Sequence, residues 1–201
     1  MNIIEHPRLY RLLGSTSNLY QEQWQEVEEE VWQMFGQEAV VLVTDMSYFT
    51  QVTNELGIVY YLSMIKKAQD IISMSVPRYN GSVVNFVADN SFSIFTTIDD
   101  AINAIVEIND KMTQVNSQTP EARDIKICAG LDFGKFLNIN SETLYGATIN
   151  FASVLGEDIA EPQEILLSNQ AHALVKKSLY KFKPLTIEFN DLTIHYQKLI
   201  Y

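Results

Sequence analysis

Residues 82–95 read SVVNFVADNSFSIF, two short apolar runs joined at a bend that carries Asp89. Asp-Asn is a favourable tight-turn pair, because both residues tolerate positive φ and both bond their own backbone, so the stretch predicts a hairpin. Asn80-Gly81 announces it and Pro77 closes the segment before it, a helical pattern in which Ile58, Leu62, Ile65, Ala68 and Ile72 mark one face. Further upstream, AVVLVT at 39–44 is apolar on both faces, as a central strand would be, and it runs into Asp45 and a turn, MSYF. Downstream comes a helix over about 98–115 with Ala101, Ile105, Ile108 and Met112 inward, then a polar loop through Pro120 and a strand, IKICAGLDFG. The loop NINSETLYG leads to a helix from about Thr148 that contains Ile149, Ala152 and Leu155, and EILLS gives another short strand. The tail predicts a helix over 168–177 and strands at 184–189 and 192–199. A hairpin set between two helices and flanked by strands is the pattern of an α+β sheet with helices packed on one face.

The first 18 residues show no firm period. From Leu19 to Gln37, Tyr20, Trp24, Val27, Val31 and Met34 recur at spacings of four and three among glutamates and glutamines, which predicts an amphipathic helix. Its stripe suits docking on its own domain; the spacing also matches two heptads of a two-strand coiled coil. We therefore divide the chain into an N-terminal extension, 1–36, and one domain, 37–201.

The 201 residues carry 25 acids against 14 bases, a net charge of −11, and the bases form no cluster that could follow a phosphate backbone. Nucleic acid and anionic membranes are poor partners for such a chain. Cys128 lies inside the apolar run IKICAGL, which fits a small buried side chain in a reducing compartment. MNIIEHPRLYRLL has an acid and a proline where a secretory signal needs an unbroken apolar run, and nothing approaches the ~20 apolar residues of a membrane span. The expected location is cytoplasmic.

His6, His172 and His195 lack metal spacing, and no GxxxxGK[ST] or GxGxxG follows a strand. A pair of carboxylates remains. Asp45 ends a central strand and Asp89 sits at the bend; if the hairpin lies beside that strand, both point into one small space. Two carboxylates held close repel unless a cation lies between them, and Mg²⁺ or Mn²⁺, completed by substrate phosphates, would relieve the repulsion. The alternative for Asp45 is to cap the helix that follows it.

The series VTDMSYFT, GSVVNFVADNSFSIF, IKICAGLDFG, LYGATINFASVL and EILLS resembles, in order and spacing, the class III nucleotidyl cyclase catalytic domain. That family runs D-x-x-G-F-T, G-G-x-V-x-K-x-x-G-D, G-I-x-x-G, G-x-x-V-N-x-A-x-R-L and x-I-x-x-S. The resemblance covers about residues 37–170 and implies a ferredoxin-like βαββαβ domain acting as a head-to-tail homodimer with two interface sites. It implies that Asp45 and Asp89, with the backbone of Met46, hold two divalent ions, Mg²⁺ or Mn²⁺. It also implies that Asn150 orients ribose and the reacting phosphate, and that Thr143 reads the base. The partner chain would supply the base-reading groups and the transition-state Asn and Arg to each site.

The pattern departs at four kinds of position. The base-reading lysine is Asn85, the transition-state arginine is Val154, the glycines of G-F-T and G-D are Tyr48 and Ala88, and the C-terminal phosphate lysine has no clear counterpart. Asn85 keeps a donor and an acceptor for a base edge. Val154 cannot replace a guanidinium, and Arg123 is the only arginine in the second half of the chain. The leading expectation is a metal- and nucleotide-binding relative of the cyclases that is regulatory or inactive. A weak or altered-specificity cyclase is the alternative, with a hetero-partner able to complete its site, and a structural dimeric interaction module is a third.

Overall fold

A computed structural model describes residues 7–14, 21–120, 124–176, 180–190 and 192–201. The elements in chain order are α1 (Pro7–Gly14), α2 (Gln21–Phe35), β1 (Gly36–Met46), α3 (Phe49–Leu56), α4 (Ile58–Ser75), β2 (Gly81–Val87), β3 (Asn90–Phe95) and α5 (Ile98–Asn116). They continue as β4 (Ile127–Ile139), β5 (Thr143–Tyr145), α6 (Ala147–Ser153), a π-helical turn (Val154–Ile159), β6 (Ile165–Ser168), α7 (Asn169–His172), β7 (Lys181–Phe189) and β8 (Leu192–Ile200).

The sheet runs β2-β3-β1-β4-β6-β8-β7, and β5 pairs with the end of β4. Its first four strands, in the order β2-β3-β1-β4, pair antiparallel throughout, which is the ferredoxin-like arrangement expected of βαββαβ. The pair β4–β6 is parallel, and the link between its two strands contains α6. Strand β1 is interior, and Ala39 to Val43 are buried because each of its faces meets a different layer. Val40 and Leu42 face α4 and α5, with Ile127, Ala129 and Leu131 of β4 beside them. Val41 and Val43 face the other way, toward Ile149 and Ala152 of α6. The helices therefore occupy both faces and not one, since a strand apolar on both sides needs a cover on each.

Two glycines set how close α6 comes. A Cβ at Gly130 of β4 would lie 2.0 Å from the Ala152 carbonyl oxygen and 2.6 Å from the Gly156 nitrogen. A Cβ at Gly156 would lie 2.8 Å from the Gly130 nitrogen. Backbone meets backbone there, and the π turn rests on the sheet.

Other differences from the sequence reading have local causes. In α4 the buried stripe is Tyr61, Met64, Ala68, Ile71, Ile72 and Ser75, while Ile58 and Leu62 are exposed. The predicted face was rotated because Tyr61, which the apolar count passed over, is the residue that goes in. Helix α1 was not predicted; it is two turns long and contributes Leu9 to a small cluster with Val31, Phe35 and Ile139. Val27, Val31 and Met34 of α2 dock on that cluster, whereas Trp24 is exposed and Tyr20 lies outside the described residues. The tail helix stops at His172, earlier than predicted, and Arg123 also lies outside the described residues.

The hairpin closes on the Val87–Asn90 pair, so its two-residue loop is Ala88-Asp89 and not Asp89-Asn90. Ala88 takes the positive φ, 54°, and Tyr48 does so at 71°. Both positions are ones where the resembled pattern has glycine. The left-handed backbone is kept there although the residue that adopts it most easily is gone, at a cost of about 1–2 kcal/mol each.

Candidate functional site

Strand β3 lies between β2 and β1 and pairs antiparallel with β1, so the hairpin turn and the C-terminal end of β1 meet at one edge of the sheet. That brings Asp89 and Asp45 within electrostatic reach of each other. Asp45 does not cap the next helix: the residue before α3 is Tyr48, and no side chain caps it. The Asp45 carboxyl is pushed up to about 6, first by burial, then by Asp89, then by Glu157; the Met46 N–H opposes this and Asp158 adds to it.

Glu157 and Asp158 belong to the π turn and were not singled out in the sequence. Burial raises Glu157, its hydrogen bonds with Ser153 and Asn90 lower it, and Asp158 and Asp89 raise it. Glu157 thus links the π turn to the residue after Asp89. A 3.6-residue period cannot find this, because a π turn shifts the helical face. Opposite, the buried Tyr61 hydroxyl donates to Asp89 Oδ2 at 2.8 Å, and burial and that carboxylate keep its phenol protonated well above the usual range.

Loop geometry beside Asp45 is tied to β4. The Ser47 N–H donates to the Lys126 carbonyl, and the Ser47 hydroxyl lies 3.2 Å from Cys128 Sγ. Cys128 is buried, as expected, and burial raises its thiol. The Lys126 ammonium stands 5.9 Å over the Tyr48 ring and 3.7 Å from Asp124.

The predicted base-reading positions meet elsewhere. Asn85 of β2 donates its amide to the Glu142 carbonyl at 2.7 Å, which sets it beside Thr143, the first residue of β5. Asn85 Oδ1 is buried and has no hydrogen-bond partner among the described residues. Asn150 is exposed on α6, and Val154 follows one turn later, half-buried against Leu155, Leu166, Ile194 and Tyr196. Among the described residues, none of Asn85, Thr143 and Asn150 hydrogen-bonds Asp45 or Asp89 within the chain. The six predicted site residues form two groups, the acidic corner with Asp45, Met46 and Asp89, and the groups around β5 and α6.

No three His, Cys, Asp or Glu side chains among the described residues are grouped as an ion would require. Two carboxylates with hard oxygens still match how Mg²⁺ and Mn²⁺ are held, by one or two acids plus backbone, water and phosphate oxygens. Burial first and Asp89 second raise the Asp45 carboxyl, and a cation bound beside it would lower it again.

The sign of its pH dependence follows. Asp45 titrates in the folded chain at about 6 against 3.8 when unperturbed, so the folded state binds its proton first and gains stability as pH falls from above 6 toward 4. Glu157 acts in the same sense. In chelator, the melting temperature should rise between pH 7.5 and pH 5, and Asp45→Asn should raise it at pH 7.5 and flatten the slope. A wild-type profile that falls over this interval, or one unchanged by the substitution, contradicts the raised Asp45 carboxyl.

No protein-family model matches the sequence, and no curated protein matches it. Solved structures do. The catalytic core of a rhodopsin-guanylyl cyclase with converted specificity, in complex with ATPαS, is 18% identical, with a TM-score of 0.71 over 82% of this chain and 98% of that one. The guanylate cyclase domain from Catenaria anguillulae, in complex with GTP, is 19% identical, with a TM-score of 0.70 over 82% of this chain and 97% of that one. The adenylyl cyclase CyaB from P. aeruginosa is 18% identical, with a TM-score of 0.67 over 83% and 96%. The architecture is that of the class III adenylate and guanylate cyclase catalytic domain. No helix among the described residues is long and apolar enough to cross a membrane.

Proposed function

We propose, with the cyclase catalytic-domain fold as the premise, that this chain binds a divalent ion and a nucleoside triphosphate at the Asp45–Asp89 corner and turns the nucleotide over slowly or not at all. The observation that carries the reading is that the sheet sets the hairpin turn at the end of β1, where Asp45 is pushed up by burial and by Asp89. Two half-buried acids held close repel each other, a cost that a purely structural module gains nothing from. Met46 would add its carbonyl, and Mg²⁺ or Mn²⁺ would neutralise the corner and the phosphates when bound. Asn85 Oδ1, a buried acceptor without a donor among the described residues, suits the amino group of a base, and Thr143 beside it offers a hydroxyl. Asn150, exposed on α6, could reach a ribose or phosphate across a dimer.

The missing part is a cation where charge builds up. Attack of a ribose 3′-oxygen on the α-phosphate loads the phosphate oxygens, and a valine at 154 offers them nothing. Weak turnover is the second reading. It is favoured by the left-handed backbone kept at Tyr48 and Ala88, in the loops beside both aspartates. Homodimerisation is part of both readings, and a partner chain that brings its own arginine would convert the first into the second. The expected compartment is the cytoplasm.

Ligand that binds only the folded state adds RT ln(1 + [L]/Kd), so Mn²⁺ with triphosphate at ~100 times Kd should add about 2.7 kcal/mol. Thermal melts with each of four nucleoside triphosphates and Mn²⁺ measure it, and Asp89→Asn should abolish the shift. Wild type that melts at the same temperature with and without millimolar ligands has no such site.

A further inference from the structure

Tyr61 is fully buried in the first turn of α4, where its N–H donates to the Gly57 carbonyl at 3.2 Å. Phe49 of α3 packs edge-on against its ring, with centroids 4.9 Å apart and planes at 80°. From this fixed base the hydroxyl reaches the hairpin tip and donates to Asp89 Oδ2 at 2.8 Å. The tip itself gives Asp89 little support. Its loop has two residues, Ala88 is exposed, and Val87 is 56% exposed.

A carboxylate on such a loop would sample several rotamers, and an ion that demands fixed oxygens would then bind poorly. Outer donors commonly cure this by holding one carboxylate oxygen so that the other is presented as a ligand. We infer that Tyr61 is a positioning residue for Asp89: its buried phenol fixes the hairpin carboxylate, and through Phe49 and Gly57 it couples the α3–α4 corner to the acidic end of the sheet. The inference rests on the ion-binding reading of that corner. Gly57, at φ 87° between α3 and α4, makes the chain turn so that Phe49 and Tyr61 meet. Any shift of α3 against α4 therefore moves the donor that holds Asp89.

The test is Mn²⁺ affinity of the full chain, read by electron paramagnetic resonance of free Mn²⁺ without nucleotide turnover, in wild type, Tyr61→Phe, Tyr61→Leu and Asp89→Asn. Tyr61→Phe keeps the ring and its contact with Phe49, so far-ultraviolet circular dichroism and the melting temperature in chelator should stay close to wild type. Its Mn²⁺ affinity should fall by about 10- to 100-fold, the range seen when an outer donor is removed. Tyr61→Leu, which also loses the ring contact, should fall at least as far. Asp89→Asn should lose binding. If wild type binds Mn²⁺, Asp89→Asn does not, and Tyr61→Phe matches wild type within twofold or binds more tightly, the positioning role is wrong while the ion site stands. If wild type binds no Mn²⁺, the ion site itself is wrong and the inference goes with it.

Discussion

Gly130→Ala should cost at least about 3 kcal/mol, the upper range for a core forced to accept an extra carbon, and more if backbone cannot yield. The added Cβ would lie 2.0 Å from the Ala152 carbonyl oxygen and 2.6 Å from the Gly156 nitrogen. Both are backbone atoms of the segment that runs from α6 into the π turn, so no rotamer change relieves the clash; the whole segment must lift off β4. For a chain of this length 1 kcal/mol moves the melting temperature by roughly 2–4 °C, which puts the expected drop near 6–12 °C or beyond. Gly134→Ala is the internal control. Its Cβ would lie 2.6 Å from Thr148 Oγ1, a side-chain atom that can turn away, so its cost should be about 1 kcal/mol, at the mild end for overpacking. Equal losses in urea melts of the two variants would show that the contact at Gly130 is softer than its geometry. The lifted segment also carries Glu157 away from Asn90 and Asp89, so Gly130→Ala should lower the pH dependence as well as the stability.

Val154→Arg should raise cyclic nucleotide formation by about 10² to 10³, the worth of one donor aimed at developing charge. Val154 is half-buried against Leu166, Ile194 and Tyr196, and the aliphatic stem of an arginine can take the same contacts while its head group leaves the cluster. Asn150 lies four residues earlier, in α6, and is exposed. Asn85→Lys should do less. Base contacts are similar in ground and transition states, and the change also removes the hydrogen bond from Asn85 to the Glu142 carbonyl. Product formation with Mn²⁺ and four triphosphates, in wild type, both single variants and the double variant, measures the difference, with a purine favoured in the double variant. Wild-type turnover at an ordinary cyclase rate would mean that the arginine's role is filled elsewhere. A double variant that binds nucleotide and makes no product would mean that more than two groups were lost.

Much of the fold was legible because its strong periods are long. AVVLVT reads as central and is, and α5 reads as 98–115 against an observed Ile98–Asn116, because nine of its residues are buried on a 3.6-residue repeat. Local chemistry was read less well. The Asp-Asn pair suggested a turn one residue late, since pairing register and not turn preference chose Ala88-Asp89 as the loop. A two-turn helix such as α1 is too short to show a period at all. At the candidate site, Asp45 and Asp89 stood out because each ends or joins a strand, and strand ends are countable. Tyr61 and Glu157 did not, because their nearness to Asp89 is made by folding: one comes from a helix on one face of the sheet and the other from a turn on the opposite face.

Between α2 and β1 there is no loop: Phe35 ends the helix and Gly36 begins the strand. A Cβ at Gly36 would lie 2.4 Å from the Trp32 carbonyl oxygen, so the passage from helix to strand is as tight as two backbones permit. Strand β1 is then held along its whole length, from Gly36 to Met46, by its pairing with β4. Helix and strand are thus joined directly, with no connecting segment between them. The exposed indole of Trp24 stands on the first half of the helix, that of Trp32 beside the joint at Gly36, and Asp45 next to the far end of the strand. A load applied to the helix would meet no loop before it reached the strand that carries Asp45.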